Sequence, residues 1–230
     1  MDAEALCRRA IVIAPRYGQA HSLLAWALLR RSTWSRDLRT LAPEIHSEIQ
    51  TALSVDDRDP WAHFAQGNLF NRLRRPGDGV RALRRALELN PNFALAHALI
   101  AVGLAVQGSL REATGSAEHA LRLSPSDRNV GTYASMALAT VHFIDERYSE
   151  CALWARNVID KSPEWAPGHT YMTAALAMQG ELAAAVEARD TLIRLTPGFS
   201  LAWMAENQLA TGELAERLFM ALRKAGVPET

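Results

Sequence analysis

The sequence has no excess of either charge and little of the residue chemistry that marks an active site. Its 230 residues balance 25 basic against 25 acidic side chains, so the formal net charge is zero. This balance removes the bulk electrostatic attraction on which nucleic-acid binding usually depends, and we expect no nucleic-acid partner. A hydrophobic fraction of 49% excludes extended disorder, which needs low hydrophobicity and high net charge.

Cysteine is nearly absent. Cys7 and Cys151 lie far apart and match no CxxC or zinc-ligand spacing. Each stands in an amphipathic stretch where a small apolar residue would pack, so we predict two buried free thiols rather than a disulfide.

Long apolar runs are also missing. The longest, residues 93–106, is interrupted by His97, and it is shorter than the roughly 20 residues that a membrane-spanning helix needs. The N-terminal Met-Asp-Ala-Glu lacks the basic region of a signal peptide. We therefore expect a cytoplasmic protein that has no membrane partner.

No catalytic motif is present. The sequence contains no GxSxG, GxxxxGK[ST], HExxH or CxxC. The glycine-containing stretch 76–79 lacks the preceding strand of a phosphate-binding loop, and acidic pairs such as Asp56-Asp57 lie in connections. We predict no enzymatic activity, no metal and no cofactor.

What the sequence does contain is a short phrase that recurs six times: apolar residues followed, in five copies, by proline. The copies are 10–15, 52–57, 86–91, 120–125, 158–163 and 192–197. Their ends are separated by 42, 34, 34, 38 and 34 residues. Proline cannot continue a helix because it has no backbone N–H, so each copy predicts the end of a helix.

Amphipathic segments precede and follow the phrase, and short breakers separate them. Such segments include 61–73, 79–89, 95–107 and 183–195, and the breakers include 75–78, 107–109 and 179–181. Asp78 and Ser109 are suitable N-caps for the helices that follow. No segment alternates as a strand does, so the sequence predicts an all-α chain. We expect Ala86 and Ala120 at helix contacts and Arg84 on an outer face.

The 34-residue period and its residues resemble the tetratricopeptide repeat (TPR). The matching residues are Gly67, Phe70, Leu83, Ala86 and Pro91 in one repeat, Ala101, Leu104, Ala113, Ala117, Ala120 and Pro125 in the next, and Leu176, Ala185, Leu192 and Pro197 near the C-terminus. The resemblance implies a TPR-like α-solenoid, a right-handed superhelix of about five antiparallel helix pairs within one domain, 1–230. The expected parts are a half-repeat (1–15), a repeat with a long connection (16–57), four repeats (58–91, 92–125, 126–163 and 164–197) and a C-terminal cap (198–230).

The sequence is also similar to the TPR tail of bacterial class III adenylate and guanylate cyclases. The marks are Trp34-Ser35 in the first connection, residues 89–94 and residues 222–229. The chain is too short, and too fully occupied by repeats, to contain a cyclase domain. The resemblance implies the regulatory region of a signalling protein, and the alternative is a free-standing TPR adaptor or co-chaperone-like assembly factor.

The first helix of each pair carries a second stripe beside its core stripe, which we call the groove stripe. Its members are Gln19, Ser22, Trp26, Trp61, Phe64, Asn68, Asn71, Leu95 and Val102. By resemblance to TPR proteins it lines the concave surface that binds a partner peptide or helix, with Trp61 and Phe64 as large anchors. The alternative is that neighbouring helices cover it.

Co-chaperones of this fold hold acidic C-terminal tails with lysine and asparagine on consecutive first helices. Here Asn68 stands at a matching place, but Phe64 stands where the first lysine would be. Leu95 and Leu99 replace the next basic pair. The sequence therefore predicts that this carboxylate clamp is missing.

Two other sets of polar residues have competing interpretations. His21, His63, His97 and His169 each lie six residues after a phrase, where Gly131 and Trp203 stand in other repeats. A place that accepts glycine or tryptophan indicates packing rather than metal binding.

Arginines cluster at Arg72, Arg74, Arg75, Arg81, Arg84 and Arg85. They form either a solvated outer face or a site for an anionic partner.

The two ends of the chain differ. The predicted N-terminal helix, 3–13, resembles the second helix of a repeat, and its apolar residues cover more than one face. We expect either that the natural protein continues upstream or that this end forms a weak homodimer. The predicted C-terminal helix, 213–224, instead carries Glu213, Glu216, Arg217 and Arg223, which predict a polar outer surface.

Overall fold

The computed structural model of the chain describes residues 3–35, 37–207 and 212–230. In these ranges the chain forms helices and their connections and no strand, which confirms the all-α prediction. The helices are α1 (Ala3–Ile13), α2 (Gly18–Ser35), α3 (Leu38–Val55), α4 (Pro60–Arg72), α5 (Pro76–Leu89), α6 (Ala94–Val106), α7 (Leu110–Leu123), α8 (Arg128–Ile144), α9 (Tyr148–Lys161), α10 (Ala166–Gln179), α11 (Leu182–Leu195), α12 (Leu201–Asn207) and α13 (Gly212–Lys224). None of them, within the described residues, is long and apolar enough to cross a membrane.

Each copy of the repeated phrase ends a helix, as predicted. The helices α1, α3, α5, α7, α9 and α11 all stop two residues before the last residue of a copy. The N–H of the C-cap residue donates to the carbonyl four residues earlier, as Asn90 does to Ala86 and Ser124 to Ala120. In five of the six copies proline follows, and it cannot continue the helix because it has no backbone N–H.

The turn inside a pair also repeats. One residue with positive φ reverses the chain between α6 and α7 (Gly108, 78°) and between α10 and α11 (Gly180, 85°). The same place holds Arg74 between α4 and α5 and Glu146 between α8 and α9. The predicted breakers at 107–109 and 179–181 are therefore confirmed as turns.

The start of α5 differs from the prediction. The helix begins at Pro76, so Asp78 lies in its first turn and is not the N-cap. Proline suits the first helical position because the N–H that it lacks would have no helical partner there. The Asp78 carboxylate instead pairs with Arg75 and Arg81. Ser109 is the N-cap of α7, although its side chain makes no capping hydrogen bond.

The prediction of a long connection within the first pair is wrong, since α2 ends at Ser35 and α3 begins at Leu38. The additional residues lengthen both helices, since α2 and α3 have 18 residues each. Leu41, Ile45, Ile49 and Ala52 recur at helical spacing and are all buried, so packing of one face extends α3. The longer repeat at 126–163 has the same origin, because α8 has 17 residues.

The packing divides the chain after Ala96 into two compact units, which we call unit 1 and unit 2. The core of unit 1 includes Leu24, Leu28, Ile45, Ile49 and Leu69, from α2, α3 and α4. The core of unit 2 is built by α8, α9, α10, α11, α12 and α13 and includes Phe143, Leu192, Met204 and Leu218. A single solenoid domain over 1–230 stays a prediction.

Small residues let the paired helices approach closely. A Cβ atom on Gly67 of α4 would lie 2.8 Å from the backbone oxygen of Gly79 in α5 and 2.5 Å from Leu83 Cγ. Ala86 and Ala120 are fully buried and Arg84 is exposed, which confirms these three predicted positions.

Candidate peptide-binding surface

In unit 1 the groove stripe lies on α2 and α4 and combines exposed and buried residues. Gln19 is exposed, and Trp26 and Trp61 are half-buried. Ser22, Phe64, Asn68 and Asn71 are buried. A partner that contacts unit 1 as it stands therefore meets the two tryptophans rather than Phe64.

Four aromatic rings of unit 1 form one cluster around Phe64. Its ring centroid lies 5.0 Å from that of Trp26, 5.5 Å from that of Trp61 and 4.9 Å from that of Phe93. Both tryptophans meet Phe64 edge to face, a favourable arrangement for aromatic pairs. Phe64, predicted as an anchor for a partner, is instead buried and supports the rings of Trp26 and Trp61.

The polar members of the stripe make contacts inside unit 1. The Ser22 hydroxyl donates to the carbonyl of Gln19 at 3.1 Å. The side chain of Asn71 fills the space beside Gly79, where a Cβ atom would clash with the amide group. Arg72, next to Asn71, donates to the Leu29 carbonyl and to the Ser32 hydroxyl, both at 2.6 Å, and so joins α4 to α2.

The last two members of the stripe lie on α6, on either side of the division between the units. Leu95 belongs to unit 1 and is buried, whereas Val102 belongs to unit 2 and is partly buried. The structure thus brings together the stripe members on α2 and α4 and leaves Val102 to the other unit.

Two residues that the sequence interpretation did not include extend the exposed part of the stripe. Leu23 is 39% exposed, and Arg30 is exposed with its guanidinium 5.9 Å from the centre of the Trp26 ring. Both share a helix face with Gln19 and Trp26, since they lie three or four residues from Trp26. This spacing is the signal that could have identified them.

No family model matches the chain. It is 34% identical over 102 residues, 44% of its length, to the cell division cycle protein 27 homolog of Caenorhabditis elegans. It is 31% identical over 90 residues, 39% of its length, to the Hsp70-Hsp90 organizing protein of Triticum aestivum. These matches span only 12% and 15% of the length of the two relatives.

Solved structures match over nearly the whole chain. Cut9, in the APC/C hetero-tetramer Cut9-Hcn1, superimposes on 94% of this chain with a TM-score of 0.72 and 13% identity, over 39% of its own length. PilW, a type IV pilus biogenesis factor, covers 89% of this chain and 87% of its own with a TM-score of 0.61 and 14% identity. PilF of Pseudomonas aeruginosa covers 91% and 87% with a TM-score of 0.61 and 16% identity. The chain has a TPR-like fold.

The histidines have a structural role in these TPR-like pairs. The Nε2 atom of His63 lies 2.8 Å from the carbonyl oxygen of Asp57, and that of His169 lies 2.7 Å from the carbonyl oxygen of Pro163. His21 makes the same contact with Pro15 at 2.9 Å, and its Nδ1 lies 2.6 Å from a carboxylate oxygen of Glu48. Each ring therefore holds the turn before its helix. Among the described residues no three His, Cys, Asp or Glu side chains are placed to hold a metal ion.

Three of the six arginines of the cluster at 72–85 pair with carboxylates of the same repeat. Arg75 and Arg81 share Asp78, and Arg85 pairs with Glu88 at 2.7 Å. Arg75 also stacks over the ring of Phe70, 4.7 Å from its centre. These contacts favour the solvated outer face over the anionic-partner interpretation.

Both cysteines are free thiols, as predicted. Cys151 is buried in the core of unit 2, and burial strongly raises the pKa of its thiol. Cys7 is only partly buried, against the prediction, although desolvation also raises its pKa. Since the reactive form is the thiolate, a raised pKa reduces the fraction of each thiol that is reactive at neutral pH.

Proposed function

We propose that this chain is a non-catalytic protein-interaction scaffold and that unit 1 binds a partner peptide through Trp26 and Trp61. The observation that carries the proposal is the aromatic cluster, in which the buried Phe64 contacts two half-buried tryptophans, one on α2 and one on α4. Large aromatic side chains with fixed orientation dominate the energy of protein interfaces. The adjacent Arg30 supplies a positive charge at the edge of this surface.

For the biological setting, we propose the regulatory region of a bacterial signalling protein such as a cyclase. The support is the resemblance at Trp34-Ser35, 89–94 and 222–229. The second candidate is an assembly factor or co-chaperone, which the similarity to the Hsp70-Hsp90 organizing protein favours.

Selection of a random peptide library on the full chain tests the scaffold proposal. Peptides that bind the wild type should bind Trp26→Ala and Trp61→Ala at least tenfold more weakly, because each change removes one of the two half-buried rings. Leu153→Ala is the control, since Leu153 is 60% exposed on α9, a helix that carries no member of the stripe. Failure to select any peptide, or equal affinity for all the variants by calorimetry, would contradict the proposal.

An acidic peptide with a free C-terminal carboxylate should give no heat of binding at micromolar concentration in calorimetry. The clamp that co-chaperones use is missing, since Phe64 replaces a lysine and both Phe64 and Asn68 are buried. Leu95 and Leu99 are buried as well. Micromolar binding that Asn68→Ala abolishes would show that this prediction is wrong, and would favour the co-chaperone candidate.

We also propose weak self-association through α1. Val12 and Ile13 are 80% and 81% exposed, and Leu6 is 49% exposed. Burial of one or two such side chains per subunit contributes only about 1.5–3 kcal/mol each, so the dimer population should depend on concentration. Light scattering over a hundredfold dilution should show a falling mass, and Ile13→Glu should remove the effect. A constant monomer mass for the wild type would refute self-association.

A further inference from the structure

The groove stripe continues in unit 2 on α8 and α10. The residues at the corresponding distances from a phrase include Met136, Ala139, Ala174 and Ala177. All four are buried, as Asn68 and Asn71 are at the same distances from a phrase in unit 1: Met136 is 6% exposed and the three alanines are not exposed at all. In unit 2 a helix from further along the chain contributes to this burial.

This helix is α13. Leu214, Leu218 and Leu222 are spaced four residues apart on one face of α13, and all three are buried. They belong to the same core cluster as Met136, Ala139 and Ala174. Ala225, just after α13, clusters with Ala177. The C-terminal helix thus packs on α10, which carries Ala174 and Ala177 of the stripe.

A polar contact fixes the position of α13. Arg217 donates to the carbonyl oxygens of Ile144 at 2.9 Å and Phe143 at 3.3 Å, where α8 ends. Its guanidinium also pairs with Glu146 at 3.2 Å and lies 6.0 Å from the centre of the Phe143 ring. The sequence predicted Arg217 on a polar outer surface. That prediction is wrong because the C-terminal carbonyls of α8 accept its N–H groups.

The packing of α13 departs from that of the second helices in the repeats. In the pairs α4–α5, α8–α9 and α10–α11 the second helix packs along the first helix of its own pair. In contrast, α13 lies mainly against α10, which belongs to the preceding pair, and makes little contact with the described part of α12. Like a helix bound in a groove, α13 packs an apolar face against unit 2 and is anchored by one charged side chain, Arg217.

We propose that the groove stripe of unit 2 is a binding site for an amphipathic helix and that α13 is its resident occupant, which a partner helix of the same chemistry displaces. The chemistry of the partner is given by α13: three leucines spaced four residues apart, and an arginine directly before the second. This inference goes beyond the proposed function, which rests on the tryptophans of unit 1, so either can fail without the other.

A labelled synthetic peptide of residues 212–230 tests the site by fluorescence anisotropy with the full chain. Leu218→Glu in the chain should bind the peptide at least tenfold more tightly than the wild type does, because its own α13 no longer fits the stripe. Met220→Glu is the matched control: Met220 is 52% exposed on the same helix, so this variant should bind as weakly as the wild type. A peptide that itself carries Leu218→Glu should bind neither chain. Equal affinity of the wild type and a folded Leu218→Glu chain would overturn the proposal.

A second measurement needs no variant of the chain and therefore does not depend on its folding. In an isotopically labelled wild-type chain, millimolar unlabelled peptide should accelerate amide hydrogen exchange in α13 at least severalfold and leave exchange in α10 unchanged. The Leu218→Glu peptide should have no effect. If the wild-type peptide leaves exchange in α13 unchanged, α13 is a fixed part of the core and the proposal is wrong.

Discussion

Phe64→Ala is expected to lower the free energy of unfolding by about 3–5 kcal/mol, the usual cost of removing a buried aromatic ring. Phe64 has no exposed surface and touches the rings of Trp26, Trp61 and Phe93. Its loss removes both edge-to-face contacts and leaves a cavity that the three neighbouring rings can fill only by moving. Urea denaturation followed by circular dichroism measures the effect.

Trp61→Ala is the control for this variant, because Trp61 is half-buried and lies at the edge of the same cluster. We expect Trp61→Ala to lose less stability than Phe64→Ala, while weakening peptide binding directly. A loss below about 1 kcal/mol for Phe64→Ala would mean that the ring is not the support of the cluster, since buried aromatic truncations cost several times more.

Gly67→Ala and Gly115→Ala should change stability in opposite directions. Alanine in a helix interior is ordinarily about 1 kcal/mol more favourable than glycine. A Cβ atom at Gly115 in α7 meets nothing within 4 Å, so Gly115→Ala should stabilise the chain. The Cβ atom at Gly67 would press against the backbone of Gly79, and α4 and α5 must separate to admit it.

We expect Gly67→Ala to cost about 1–3 kcal/mol, as overpacking does in other cores. Thermal unfolding of both variants and the wild type measures the two changes in stability, which we expect to be opposite in sign. A Gly67→Ala variant as stable as the wild type would show that the crossing of α4 and α5 can widen freely.

The helix boundaries could be predicted because helix ends are local. The bounds predicted for α1 are those observed, and the start of α13 differs by one residue, since terminating residues act within one turn. The short α12, Leu201–Asn207, was not predicted because no repeated phrase follows it. Asp78 was misplaced because a proline at the first helical position competes with the residue that would otherwise cap the helix.

The candidate surface was predicted less completely. Spacing places Trp61 and Phe64 on the same face of α4, but it does not say how deep each side chain lies. That depth is decided by Trp26 on α2 and by Phe93 before α6, which come from elsewhere in the sequence. In the same way, no local pattern shows that Arg217 meets the end of α8, because the two segments are separated by more than 70 residues.

The extra length of α8 has a consequence for how this chain can change in evolution. Four residues rotate a helix by about 400°, only about 40° beyond one full circle, and lengthen it by about 6 Å. The four extra residues follow Met136 and Ala139, which stand at the same distances from the preceding phrase as their counterparts, so the insertion changes the phase of the helix end by only this small angle. The insertion also extends α8 to Phe143 and Ile144, whose carbonyl groups accept hydrogen bonds from Arg217. Excision of a single turn from α8 would preserve the phase of the repeat and delete the attachment point of the C-terminal helix.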